Sequence, residues 1–173
     1  EYTFYVMLHG VIEHARYLRQ YAIGAAMNFN IDAWELSGIY TTATAFPELS
    51  EAAEWRTYAS QEMDAQQQFQ FYPDGVHIEL SPRYHIGTLN FVEDIYNLAK
   101  LNNRLADLPA GYIERTEKAY DFLLYNSAPN RLLPPFNDCG AANEDTRTYL
   151  QAGYGYFPNR TDIGLSLGYK LSN

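Results

Sequence analysis

Apolar residues in this chain recur three and four positions apart, stretch after stretch, until a proline or glycine interrupts them. That spacing admits little except amphipathic helices. Leu8, Val11, Ile12, Ala15 and Leu18 form one such stripe, with Glu13, Arg16 and Arg19 elsewhere on the same turns. The pattern predicts a second helix from Ile31 to Ala45, ending before Phe46-Pro47 because a residue ahead of proline is pushed out of the helical region. A third begins near Ser50, carries Ala52, Trp55, Ala59 and Met63 on its inner face, and stops by Pro73-Asp74-Gly75. Ser81-Pro82 reads as an N-cap followed by proline at the first helical position, and Leu89, Val92, Tyr96 and Ala99 form the buried face behind it. Leu108-Pro109-Ala110-Gly111 breaks that helix, and a fifth is expected from about Tyr112 to Tyr125. Beyond Asn126 prolines and glycines crowd in, leaving one short helix near Asn143 to Ala152.

Long helices joined by short linkers fold back as antiparallel neighbours, so the expected class is all-α, a string of helical hairpins. Periodicity alone leaves an irregular array and a closed ring of hairpins equally open. At 173 residues and 47% hydrophobic content, with 16 Tyr and 9 Phe, residues 1–173 suffice for one domain with a real core. A net charge of −9 argues against nucleic acid as a partner, and no apolar run approaches the ~18 residues of a membrane span. The single cysteine, Cys139, permits no intrachain disulfide and no CxxC metal pair. The first residues open inside a helical pattern with no capping residue ahead of them, which predicts a piece of a longer chain.

Titratable groups are densest between the third and fourth helices: Asp74, His77, Glu79, Arg83, Tyr84 and His85. A connecting segment held by rigid helices is a common location for a site. The plainer reading has Asp74 closing a turn, His77 and Glu79 alternating out to solvent, and Arg83 and His85 decorating a helix start. Tyr84 falls at the third helical position, beside Arg83 and His85, where positive charge would lower a phenol pKa toward useful proton transfer. With 16 tyrosines, most must be simple aromatic anchors. A second cluster occupies MNFNIDAWELSG, residues 27 to 38: Asn28 or Asn30 as an N-cap, Asp32 and Glu35 as a conceivable hydrolase pair, and Trp34 as core or as a stacking platform for a sugar. Asp32 and Glu35 sit three apart and are expected to face solvent more than each other. His9 and His14 are five apart, not the four that brings two imidazoles to one metal. Asn159-Arg160-Thr161 is a sequon by pattern alone. With no Gly-rich phosphate loop and no GxSxG, the expected site needs no metal and no cofactor.

The string from NFNIDAWELSGIYTTATAFPELSEAAEW through QFYPDGVHIELSPRYH resembles the catalytic helical domain of heparinase II/III-like polysaccharide lyases, which include heparan sulfate lyases and alginate lyases. The family pattern has an Asn or His opening one helix, an FPEF-like turn, a Trp in the next helix and a DGxxxExSPxYH segment. Asn30, Phe46-Pro47-Glu48-Leu49, Trp55, Asp74-Gly75, Glu79, Ser81-Pro82 and Tyr84-His85 fill those places, and the match covers roughly residues 5 to 140. EHARYLR and PPFNDCG look familiar as well, while Ile31 follows Asn30 where the family usually has Trp or His.

The resemblance implies a partial α/α toroid, with helical hairpins to about residue 125, an irregular remainder, and a β-sandwich domain of the same protein downstream of this chain. It implies β-elimination on an acidic polysaccharide or oligosaccharide, with secretion to the periplasm or surface of a bacterium. In that chemistry Asn30, favoured over its neighbour Asn28 by counting back from the FPEL turn, neutralises the uronate carboxylate and Tyr84 acts as general acid or base. Arg83, His85, Glu79 and Trp34 are the expected substrate contacts. The family's catalytic histidine comes from the sandwich domain, and no position here matches it. Three lysines and a net charge of −9 favour alginate or a sparsely sulfated glycosaminoglycan over heparin. The competing readings are a glycoside hydrolase using Asp74 and Glu79 with water, and a noncatalytic glycan- or protein-binding helical module.

Overall fold

Helices form wherever the 3.6-residue period is sustained. The computed structural model describes residues 2–22, 29–139 and 145–170. Among them run α1 (Tyr2–Tyr17), α2 (Asn30–Ala45), α3 (Ala52–Gln70), α4 (Pro82–Leu101), α5 (Ala119–Tyr125), α6 (Arg147–Tyr156) and α7 (Thr161–Ser166). A π-helical turn, Leu18–Ala22, continues α1, and 3-10 turns occur at Leu105–Asp107, Glu114–Thr116 and Asn137–Cys139. The β-type pairings among these residues are isolated bridges, Phe71 with His77 and Leu132 with Asp145. The class is all-α, as the spacing predicts.

The chain divides into two compact units, residues 1–67 with 90–112 and residues 68–89 with 113–173. In the first, α2 buries Ala33, Leu36, Ile39, Tyr40 and Ala43, and α3 buries Ala52, Trp55, Ala59 and Met63. Each set follows the three-and-four spacing that keeps one stripe facing inward. Val92, Ile95 and Ala99 of α4 complete the cluster with Tyr112, whose hydroxyl donates to the Val92 carbonyl at 3.3 Å. α2 stops at Ala45, ahead of Phe46-Pro47, as expected. The buried Arg56 guanidinium donates to the Ala43 carbonyl at 2.6 Å, satisfying one of the acceptors that a helix C-terminus leaves without an intrahelical partner.

The stripe expected on α1 is only partly covered. Ala15 is its one buried residue, and Val11 stays 42% exposed. The exposed ion pairs Arg16–Glu51 and Arg19–Glu54 join α1 and its π-helical extension to the start of α3, contacts that solvent screening leaves weak.

The second unit packs Ile86 and Leu89 of α4 against Ala119, Tyr120, Phe122 and Leu123 of α5, with Leu133, Leu150 and Ile163. α6 runs through Gly153 because the Tyr120 ring lies against it: a Cβ there would fall 2.4 Å from Tyr120 Cδ1. The predicted fifth helix begins late, at Ala119 and not Tyr112. The Thr116 hydroxyl donates to the Ile113 carbonyl at 2.7 Å, a side-chain bond to backbone that favours the tight 3-10 turn over a continued α-helix. α7 was not anticipated; its Arg160 N-terminal neighbour meets Asp162 at 2.7 Å and Asp121 at 2.5 Å, pinning this short helix to α5. Of the helix expected near 143–152, positions 143 and 144 lie outside the described residues.

Candidate active site

The connection from α3 to α4 is organised by its own backbone and by two histidines. Gly75 N–H donates to the Tyr72 carbonyl at 2.8 Å and Tyr72 N–H to the Val76 carbonyl at 2.9 Å. Asp74 accepts from Val76 N–H at 3.1 Å, so it closes the turn as the plainer reading held. His77, expected to face solvent, is instead fully buried. Its Nδ1 accepts from the Glu79 N–H at 3.3 Å, which puts the ring proton on Nε2, 3.0 Å from Gln70 Oε1 and 3.1 Å from Thr88 Oγ1. His85 is 1% exposed: its Nδ1 accepts from the His77 N–H at 3.3 Å and its Nε2 donates to the Ala119 carbonyl at 2.9 Å. The expectation that His85 contacts substrate is therefore corrected, because both ring nitrogens already hold the loop to α5.

Both imidazoles are neutral. Burial pushes His77 down to about 4 and His85 to about 3. Because these folded values lie below the unfolded ~6.5, the unfolded chain binds more protons as pH falls. Their stabilisation is complete above pH ~6.5 and declines below it by about 1.4 kcal/mol per pH unit for each ring, until the folded values are reached. Thermal melting is expected to fall between pH 6.5 and 4, and His77→Gln to flatten that slope; identical slopes for both proteins would refute the neutral pair.

Ser81 precedes Pro82 at the start of α4 as expected, and its carbonyl accepts from His85 N–H at 2.9 Å. Its hydroxyl, however, is buried without a hydrogen bond among the described residues, so it does not serve as the side-chain cap. One turn on, the Tyr84 hydroxyl donates to Asp138 Oδ2 at 2.9 Å. Hydrogen bonding to Asp138 raises the Tyr84 pKa, its negative charge adds to this, followed by slight burial and Glu79, with Arg83 opposing. The expected lowering is thus reversed. Of the two neighbours expected to supply positive charge, His85 carries none and Arg83 is outweighed by a carboxylate 54 positions away in sequence.

Arg83 is exposed and Glu79 half-buried, both in the same unit as Tyr84. Asn30 and Trp34 belong to the other unit. Asn30 is the first residue of α2 and not its cap: Phe29 holds the cap position with φ 48° and no side-chain cap bond, a strained conformation for a bulky residue. Asn28 lies outside the described residues. Asp32, expected to face solvent, is 2% exposed, with one oxygen 3.5 Å from Gln66 Nε2. Burial, then the Asp32 charge, raises the Glu35 carboxyl, with His14 opposing. Trp34 is 66% exposed, lies parallel to the Phe91 ring at 6.2 Å, and borders a groove of about 800 Å³ together with Met7, Val11, His14 and Ile31. No group of three or more potential metal ligands occurs among the described residues.

The family model for the heparinase II/III N-terminus matches residues 2–165. The chain belongs to the heparinase II/III N-terminal family. Among its relatives, a heparin-sulfate lyase of Bacteroides thetaiotaomicron is 29% identical over 133 residues, covering 73% of this chain and 19% of that protein. A heparin-sulfate lyase of Bacteroides stercoris is 33% identical over 99 residues, 57% of this chain and 15% of its own length. The crystal structure of heparinase III superposes with a TM-score of 0.82 at 25% identity, covering 90% of this chain and 25% of that one. This heparinase II/III member therefore spans about a fifth of the curated relatives it matches. Its helical architecture is that of the solved heparinase III.

In this family member the sequence pattern points His77 the wrong way and does not single out Asp138. Val76 and Ile78 flank His77, and a period-2 pattern sends the residue between them outward, whereas the fold buries it. Asp138 sits in the PPFNDCG stretch, but nothing local links it to Tyr84.

Proposed function

We propose that this heparinase II/III member acts as a polysaccharide lyase on a uronate-containing glycosaminoglycan such as heparan sulfate. Its kinship with heparin-sulfate lyases over most of its length carries this reading. In β-elimination the C5–H bond breaks, a C4–C5 double bond forms, the C4–O bond breaks, and the leaving oxygen takes a proton. Tyr84, kept protonated by its bond to Asp138, suits the last step as general acid. The base that removes the C5 proton is then a different group, assigned to a histidine of a β-sandwich domain beyond this chain. Asn30 takes the role of neutralising the uronate carboxylate with an uncharged donor, a bond that strengthens as charge builds on that group. Arg83 offers a forked donor to a carboxylate or sulfate, Glu79 a polar contact, and Trp34 a flat face for a sugar ring. A secreted or periplasmic bacterial location agrees with such a substrate, and among the described residues no helix is long and apolar enough to cross a membrane.

Product chemistry tests the reaction. The full-length protein should release oligosaccharides ending in an unsaturated uronate that absorbs in the ultraviolet, with heparan sulfate and alginate compared side by side. Saturated ends would reveal a hydrolase, and no cleavage of either polymer would leave a binding module. Asn30→Ala is expected to lower kcat by about 10²–10³ with KM within a few-fold, since the bond it loses is made mainly in the transition state. A pure KM effect would make Asn30 a simple binding residue.

A further inference from the structure

Asp138 reaches Tyr84 from a turn that is itself tied to the base of α4. Asn137, at φ 52°, donates from Nδ2 to the Leu80 carbonyl at 2.6 Å; Leu80, at φ 53°, donates its N–H to the His77 carbonyl at 2.9 Å. Two consecutive residues of one turn thus grip the segment 80–84 at both ends, one by backbone and one by the phenol. Left-handed backbone at a non-glycine residue costs on the order of 1 kcal/mol or more, and the fold tolerates it on both sides of this grip.

We propose that Asp138 is a positioning residue for Tyr84, holding the phenolic proton on an exchangeable acceptor so that it is aimed and ready for transfer to the leaving oxygen. The proposal rests on the lyase reading above. A rotation about the phenolic C–O bond carries the hydrogen from Asp138 to a glycosidic oxygen. The Tyr84 O–H bond then breaks as the new O–H bond forms on the leaving sugar. The resulting phenolate stands beside the Asp138 carboxylate, and the like charge drives its reprotonation from water before the next turnover. The charged groups facing the phenol are Asp138 from the 137–139 turn, Glu79 from the loop and Arg83 from α4; His85 beside it is neutral.

The test uses the full-length protein with Asp138→Asn and Asp138→Glu, each with and without Tyr84→Phe. Subtracting the ultraviolet phenolate titrations of each pair isolates Tyr84 and requires no turnover. Asp138→Asn should move the Tyr84 midpoint down, lower kcat about tenfold with KM within twofold, and pull the alkaline limb of kcat the same way. Asp138→Glu, which keeps the charge, should recover the midpoint and part of kcat, and it guards against a fold lost in the first variant. An unmoved Tyr84 midpoint overturns the proposal even if the unaltered protein is an active lyase. A moved midpoint with unchanged kcat overturns the positioning role. Absence of unsaturated product from the unaltered protein refutes the lyase reading, and the proton-transfer role with it, in a separate measurement.

Discussion

Tyr84→Phe in the full-length protein is expected to reduce turnover by about 10²–10⁴-fold while melting and substrate affinity stay near those of the unaltered protein. In the proposed reaction the hydroxyl gives its proton to the leaving oxygen, and phenylalanine keeps the ring but has no proton to give. Stability should barely change, because the lost bond is solvent-accessible and the released Asp138 carboxylate can be hydrated. Rates from the appearance of ultraviolet-absorbing product, set beside binding of an uncleaved oligosaccharide, decide the matter. Turnover within a few-fold of the unaltered protein would remove Tyr84 from the chemistry.

Gly75→Ala should act oppositely, through the fold. Gly75 sits at φ 87°, a left-handed conformation that a side chain resists, and a Cβ there would fall 2.1 Å from the Lys118 carbonyl oxygen and 2.8 Å from the Ala119 nitrogen. Those are backbone atoms, so rotating a side chain cannot relieve the clash. The turn would have to withdraw from the start of α5, breaking the 2.8 Å bond from Lys118 Nζ to the Pro73 carbonyl and displacing Ala119, whose carbonyl holds His85. A loss of about 3–5 kcal/mol is expected in denaturant unfolding. A change below ~1 kcal/mol would mean that the turn is looser than its contacts require.

These two residues belong to one sequence motif and yet do different work. In Asp74-Gly75…Glu79…Ser81-Pro82…Tyr84-His85, the glycine, Asp74 and His85 build the turn and anchor it, whereas Tyr84 turns its hydroxyl to Asp138. Ahead of any coordinates the motif was legible as a unit, but the division of labour within it was not. His85 looked like a surface contact because charge and polarity are visible in a string of letters and burial is not.

The existence of the long helices, the stops at Ala45 and Pro73-Asp74-Gly75, the start at Pro82 and the core faces of α3 and α4 are readable from spacing and turn chemistry, which are local properties. The tertiary structure alone decided that His77 and His85 are neutral and internal, that Tyr84 holds its proton more tightly than a free phenol, and that Asp138 is the reason. Those outcomes depend on desolvation and on a carboxylate brought 2.9 Å from a phenol across 54 residues, and both are set by how distant segments pack, which periodicity along one segment does not encode.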